Sequence, residues 1–301
     1  MLRKIVSRGF TLVELLVVIS IMALLMAILM PALGRARQAA YASVCLSNVR
    51  RISMAAQIYV TENTYFPPHR LKYQYPSGPV YVNKYGRSRP RWQWFFNEGV
   101  GPVIDPAPWV KAPGQTFDDD QTLLITNDYF ICPSFNHPDY NDHDIRNGSY
   151  GYNYQYLGNI QEVTERYVNY PVKIDSIGSP DKTIIVADGR GSMRKLGDRL
   201  LDHGEHSYKL DPPLLPLSLG TKTFGDRKKA TFAEQHTPAE ARHDGRVCVS
   251  FLDGHAMKMT REDMGYVVDY EVKEDGWILC NQGSNRLWTG NERDERGYMW
   301  R

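Results

Sequence analysis

The sequence predicts an α+β protein, with a long, partly membrane-spanning N-terminal helix packed on an antiparallel β-sheet globular domain with long loops. Three observations carry this. Phe10 to Met30 holds only three polar residues, Thr11, Glu14 and Ser20. Beyond Pro31 the apolar pattern narrows to one helical stripe. Further on, short alternating runs end at Asp-Gly pairs, which mark hairpins. The 301 residues suffice for a sizeable core, because chains near this length bury about 75% of their unfolded surface. Lys and Arg number 36 against 34 Asp and Glu, for a formal net charge of +2. That balance speaks against coating nucleic acid through bulk charge, and no nucleic-acid partner is expected. Hydrophobic residues at 42% exclude wholesale disorder. The four cysteines show no C-x-x-C spacing, which disfavours a zinc ribbon or a redox dithiol.

As a helix, Phe10–Met30 extends roughly 31 Å, the thickness of a hydrocarbon core. A soluble helix is rarely apolar on all sides at a chain's extreme N-terminus. Arg3, Lys4 and Arg8 precede the run, with no acidic residue among them. An ordinary signal peptide has a shorter apolar region and a small-x-small cleavage site. A lipoprotein signal needs a small residue before its Cys, whereas Val44 precedes Cys45. Basic residues flank both ends of the span, so charge does not fix its orientation.

The stretch Arg8-Gly9-Phe10-Thr11-Leu12-Val13-Glu14-Leu15-Leu16-Val17-Val18-Ile19 resembles the cleavage and methylation motif of type IV pilins and pseudopilins. Pro31 also falls where that family often has a proline. The resemblance implies that prepilin peptidase cuts after Gly9 on the cytoplasmic side and that Phe10 is N-methylated. It implies that Glu14 acts in assembly, its carboxylate pairing with an N-terminal amine, because a charge at the edge of a span calls for a partner. The chain then divides into a leader at 1–9, the transmembrane part of the helix at 10–33, an amphipathic continuation at 34–63, and a loop-rich periplasmic or extracellular domain at 64–301. Implied partners are prepilin peptidase, other pilin or pseudopilin subunits, an inner-membrane assembly platform and membrane lipid. The implied location is the bacterial inner membrane, in a single pass.

Ala42, Cys45, Val49, Ile52, Ala56 and Tyr59 continue the helix as a stripe, with Gln38, Ser43, Asn48, Arg50 and Arg51 largely off it. The helix is expected to end near Asn63, before Phe66-Pro67-Pro68, for a total of about 50 residues. Cys45-Leu46-Ser47-Asn48-Val49-Arg50, with Phe66-Pro67-Pro68, resembles the large pilin-like proteins named for a processing-associated H-X9-DG domain. His243, nine residues, then Asp253-Gly254 fits the signature itself. Cys132-Pro133-Ser134, Ser149-Tyr150-Gly151-Tyr152-Asn153 and the strand ending at Asp188 add to the likeness.

Residues 67–113 hold nine of the 18 prolines and read as a long loop region. Tyr73, Tyr75, Tyr81, Tyr85, Trp92, Trp94, Phe95 and Phe96 lie there among basic residues. Such a mixture either covers the core or stacks on a polymer. Strands are expected at Thr122–Thr126, Asp128–Cys132, Thr183–Ala187, Arg246–Leu252 and His255–Thr260. Val247, Val249 and Phe251 share one face of the Arg246–Leu252 strand, and Cys248, Ser250 and Leu252 the other. Gln155–Lys173 is ambiguous, and 190–242 reads as a polar insertion. If Arg246–Leu252 is extended it spans roughly 23 Å. His243 and Asp253 then sit at opposite ends, which disfavours a shared metal or catalytic site.

No cofactor is expected, with calcium kept as the lesser option. Asp202, His203, Glu205 and His206 read as solvated. Asp139, Asn141, Asp142 and Asp144 resemble a calcium loop loosely, with Asp144 where an EF-hand has Gly. No nucleophile elbow, P-loop or zinc-protease motif occurs, so no enzyme activity is expected. Cys45, Cys132, Cys248 and Cys280 are disulfide candidates with three full pairings open. The leading functional reading is a pilin-like structural subunit of a type II secretion or type IV pilus-like filament. The alternative is a membrane-anchored extracellular module that binds polysaccharide or another polymer through residues 73–96.

Overall fold

The computed structural model describes residues 11–68, 92–96, 127–135, 148–163, 166–191, 194–196, 199–201, 208–214, 237–269 and 277–294. The chain forms two compact units, Met1–Ala40 and Tyr41–Arg301. Helix α1, Leu12–Asn63, is 52 residues long and continues through Pro31. In its apolar first half Ser20 Oγ donates to the Val17 carbonyl at 2.8 Å.

In the second unit the expected stripe is buried: Ala42, Cys45, Val49, Ile52 and Ala56, joined by Ser53, Ala55 and Val60. Each large apolar side chain removed from water there contributes about 1.5–3 kcal/mol. Asn48 departs from expectation, for it is buried rather than off the stripe. Its amide has a reason to be inside, because it donates to the carbonyls of Asp128 and Ile131 and to Tyr150 Oη at 3.2–3.4 Å. A short helix, α2, covers Trp92–Phe95.

The central sheet has four antiparallel strands in the order β1-β4-β7-β8. These are β1 (Tyr150–Tyr152), β4 (Ile184–Asp188), β7 (Val247–Phe251) and β8 (Ala256–Met259). Among the described residues three two-stranded ribbons accompany it: β2 (Gly158–Val163) with β3 (Arg166–Pro171), β5 (Arg194–Leu196) with β6 (Arg199–Leu201), and β9 (Tyr266–Asp269) with β10 (Trp277–Gly283). The ambiguous Gln155–Lys173 stretch is therefore mostly a hairpin. β7 is buried on both faces. Cys248 and Leu252 join the core beneath the helix, with Val49 and Ile52. Val247, Val249 and Phe251 join a second core with Leu210, Met264 and Trp288.

Several local expectations are corrected. Asp128–Phe130 is a 3-10 turn rather than a strand, because Asn127 Oδ1 accepts the Tyr129 amide and fixes the entry. The β7–β8 connection is a three-residue turn rather than a two-residue one. The Gly254 amide donates to the Phe251 carbonyl, the Phe251 amide donates to the His255 carbonyl, and Gly254 takes φ 91°. That is a tight turn closed by a left-handed glycine. Asp188-Gly189 makes no hairpin: Gly189 bridges to Ala239 instead. Nor is 190–242 wholly a surface insertion, since Tyr208, Leu210, Asp211, Thr237 and Ala239 are buried. The Thr122–Thr126 run, the 139–144 acidic loop and the 202–206 cluster lie outside the described residues.

Candidate functional site

Chemistry concentrates in two places. The first is the start of α1. The Thr11 amide and hydroxyl both donate to Glu14 Oε2, at 2.9 and 2.8 Å, and the Glu14 amide donates to Thr11 Oγ1 at 3.3 Å. This is a capping box, which satisfies donors that a helix start otherwise leaves open. Sequence reasoning gave Glu14 to assembly and missed the Thr-x-x-Glu signature beside it. From Leu12, 79% exposed, to Leu33, 70% exposed, the large apolar side chains face outward. A continuous apolar surface of that length marks a lipid or helix contact. Among the described residues, α1 is the one helix long and apolar enough to cross a membrane. Gly9 and Phe10 lie outside the described residues.

The second place lies where the middle of α1 meets the central sheet. Cys45 of α1 is disulfide-bonded to Cys132, which follows the 3-10 turn, with a Cα–Cα distance of 5.4 Å. The Cys132 amide is held by Ser149 Oγ at 2.8 Å. His243 Nε2 lies 3.5 Å from Cys132 Sγ and 3.5 Å from Asp188 Oδ2. Asp188, the last residue of β4, is wholly buried, and its Oδ2 accepts the Cys248 amide at 2.7 Å. Its other oxygen makes no hydrogen bond among the described residues, and the Arg242 guanidinium stands 4.0 Å away. Arg242 is itself fixed by Glu240 at 2.7 Å and by the carbonyls of Ser149 and Gly189.

Burial, and after it the Asp188 charge, pushes the Tyr150 phenol and the Cys248 thiol well up. Cys248 is a free, buried thiol in this structure. Cys280 falls in β10, with its side chain outside the described ones.

The two ends of the H-X9-DG stretch do different work. His243 closes a tight turn with Arg246 across Asp244-Gly245, whose φ values are 55° and 70°. Its side chain is buried beside Asp188, not near Asp253. Asp253 is instead partly exposed and holds the His255 ring at 2.6 Å. Gly254 backs onto Gln57 of α1, whose amide donates to the Leu252 carbonyl at 2.7 Å. The signal that was available for Asp188 is a carboxylate ending the otherwise apolar run Ile184–Ala187. Nothing local in the sequence names its partner.

Residues 6–30 match the prokaryotic N-terminal methylation motif. Comparisons with curated proteins and with solved structures return no match. The motif and the apolar helix behind it support a pilin-like, prepilin-type precursor, membrane-anchored in a single pass. The motif also suggests a structural subunit rather than an enzyme. In this pilin-like chain the aromatic segment is partly a core element. Trp92 and Phe96 are fully buried, and Trp92 Nε1 donates to the Tyr208 carbonyl at 2.7 Å. Trp92 thus offers no free face for a polymer. Tyr73, Tyr75, Tyr81 and Tyr85 lie outside the described residues.

Proposed function

We propose that the chain is a pseudopilin-like structural subunit of the H-X9-DG kind. Prepilin peptidase cuts it after Gly9 and methylates Phe10, and it then assembles with other pilin-like subunits into a type II secretion or type IV pilus-like filament. The observation that carries this is the match at 6–30, continuous with a helix whose apolar side chains face outward from Leu12 to Leu33. Before assembly that surface is stored in the inner membrane, with the large domain on the periplasmic side. During assembly neighbouring helices replace lipid. Glu14, capped by its own Thr11, then meets a neighbour's methylated amine, so that its charge is not stranded among apolar side chains.

The test is mass spectrometry of the mature protein from a host that has prepilin peptidase. The expected N-terminus is N-methyl-Phe10. An uncut chain, or a cut beyond Met30, overturns the reading. Gly9→Val should block the cut while leaving the chain in the membrane fraction. Glu14→Leu should be cut normally yet fail to enter filaments.

A further inference from the structure

We propose that the reduced protein binds one zinc ion through Cys45, Cys132, Asp188 and His243, and that the Cys45–Cys132 disulfide is the alternative, metal-free state of that site. The four residues come from α1, the turn after Phe130, the end of β4 and the turn before β7. All four are buried, and their ligand atoms lie within 4.8 Å of one another.

Two of the distances among these atoms match a tetrahedral centre. Tetrahedral zinc, with Zn–S near 2.3 Å and Zn–N near 2.0 Å, places sulfur and nitrogen about 3.5 Å apart and nitrogen and oxygen about 3.3 Å apart. Here His243 Nε2 is 3.5 Å from Cys132 Sγ and 3.5 Å from Asp188 Oδ2. As a direct hydrogen bond the second contact is too long to be a strong one. Asp188 also keeps a buried oxygen with no hydrogen bond among the described residues, which is costly for a carboxylate removed from water. A cation ligated by His243 Nε2 and Asp188 Oδ2 accounts for the long contact, while the other Asp188 oxygen stands toward Arg242.

Charge and ligand chemistry agree. Two thiolates and a carboxylate carry three negative charges, zinc offsets two of them, and the Arg242 guanidinium, shared with Glu240 at 2.7 Å, stands 4.0 Å from Asp188. Two soft sulfurs with an imidazole favour zinc over calcium or magnesium. The Cys248 amide on Asp188 Oδ2 orients that ligand from outside, as second-sphere groups do around metals.

The two states exclude each other, because zinc needs both sulfurs as separate thiolates about 3.8 Å apart. Conversion balances with a dithiol reductant. The protein disulfide, a reduced dithiol and Zn²⁺ give the zinc bis-thiolate, the oxidised dithiol and two protons. Either state links α1 to the segment around Cys132. The zinc state also draws in β4 and the turn before β7, so a chain not yet oxidised already has its helix fastened to the sheet.

The experiment uses the full chain in non-ionic detergent. It is reduced with a phosphine, given equimolar zinc sulfate, desalted and assayed by elemental mass spectrometry. About one zinc per reduced chain is expected, and none per oxidised chain. Bound zinc should protect Cys45 and Cys132 from alkylation. Cobalt(II) in its place should give thiolate-to-cobalt charge-transfer absorption. His243→Asn and Asp188→Asn should each lower zinc retention from near one to near zero. Should either variant misfold, the cobalt spectrum and alkylation pattern of the unmutated chain decide. The proposal is overturned if the reduced chain retains no more zinc than Cys45→Ser/Cys132→Ser. It is equally overturned if zinc is retained without thiol protection and without the cobalt band, which means an adventitious ion only.

Discussion

The cross-link between α1 and the Cys132 segment should dominate the stability of the large unit in the metal-free state. Cys45 and Cys132 are separated by 87 residues. Closing a loop of that length in the unfolded chain removes conformational entropy worth about 4.6 kcal/mol at 25 °C. Domains are stable by only about 5–15 kcal/mol, so the loss takes a large share. Cys45→Ala/Cys132→Ala, compared with the oxidised parent in urea and a chelator, should show it. Trp92 and Trp288 are both fully buried, which makes intrinsic fluorescence a direct reporter of the core. With a urea slope near 2 kcal/mol/M, the midpoint should fall by about 2 M. Reducing the parent in the same chelator should reproduce the shift. Cys248→Ala, which breaks no cross-link, should lose no more than about 1–2 kcal/mol. A double variant that unfolds within about 0.5 M of the parent refutes the reasoning, as does a Cys248→Ala shift of equal size.

Asn48→Ala should cost about 1–3 kcal/mol, read as a fall in melting temperature, because it removes the part-buried hydrogen bonds to the Asp128 and Ile131 carbonyls and the buried one to the Tyr150 hydroxyl. Gly254→Ala should cost about 1–2 kcal/mol: φ is 91°, and the added carbon would sit 3.1 Å from Gln57 Nε2. Gln57→Ala in the same background should recover little of that loss, since the backbone angle remains. Glu292 is held below the usual glutamate range, first by the Lys182 ammonium at 3.0 Å and then by the Ser179 hydroxyl. Its folded value is the lower one, so its contribution is fully present above the ordinary glutamate pKa and is lost as pH falls through the folded value. Lys182→Ala should move the Glu292 titration upward by NMR and flatten that part of the stability–pH curve.

What was legible in the sequence was local and periodic. The end of α1 at Asn63, its buried stripe, β4, β7 and β8 all follow from apolar spacing and from Phe66-Pro67-Pro68 and Asp253-Gly254. The Asp128–Phe130 segment was misread because its apolar alternation is shorter than the reach of one side-chain cap from Asn127. Asn48 was misread because polarity places a side chain outside unless it has partners, and its partners lie 80 to 102 residues away. The cysteine cluster was hidden for the same reason. His243 and Asp188 are 55 residues apart, and no spacing rule joins them to Cys45 and Cys132. The capping box Thr11–Glu14 was readable from the Thr-x-x-Glu spacing at the head of the apolar run.

The nine-residue spacing of the motif is explained by the helix it runs beside. The extended run Arg246–Leu252 covers roughly 23 Å, and the helical stretch Cys45–Gln57 covers about 18 Å. At one end of the strand, His243 stands against the Cys45–Cys132 link. At the other, Gln57 holds the Leu252 carbonyl and Gly254 packs against it. The Cys248 thiol reaches the Ala42 carbonyl, just ahead of Cys45, and between the two ends the Ser53 hydroxyl donates to the Phe251 carbonyl. A strand one residue longer or shorter would exchange its two buried faces, because side chains alternate. Cys248 and Leu252 would then leave the helix side, and His243 would lose its place beside Asp188. The motif thus measures a length of strand fastened to α1 at both ends, which is why its two halves need no common chemistry.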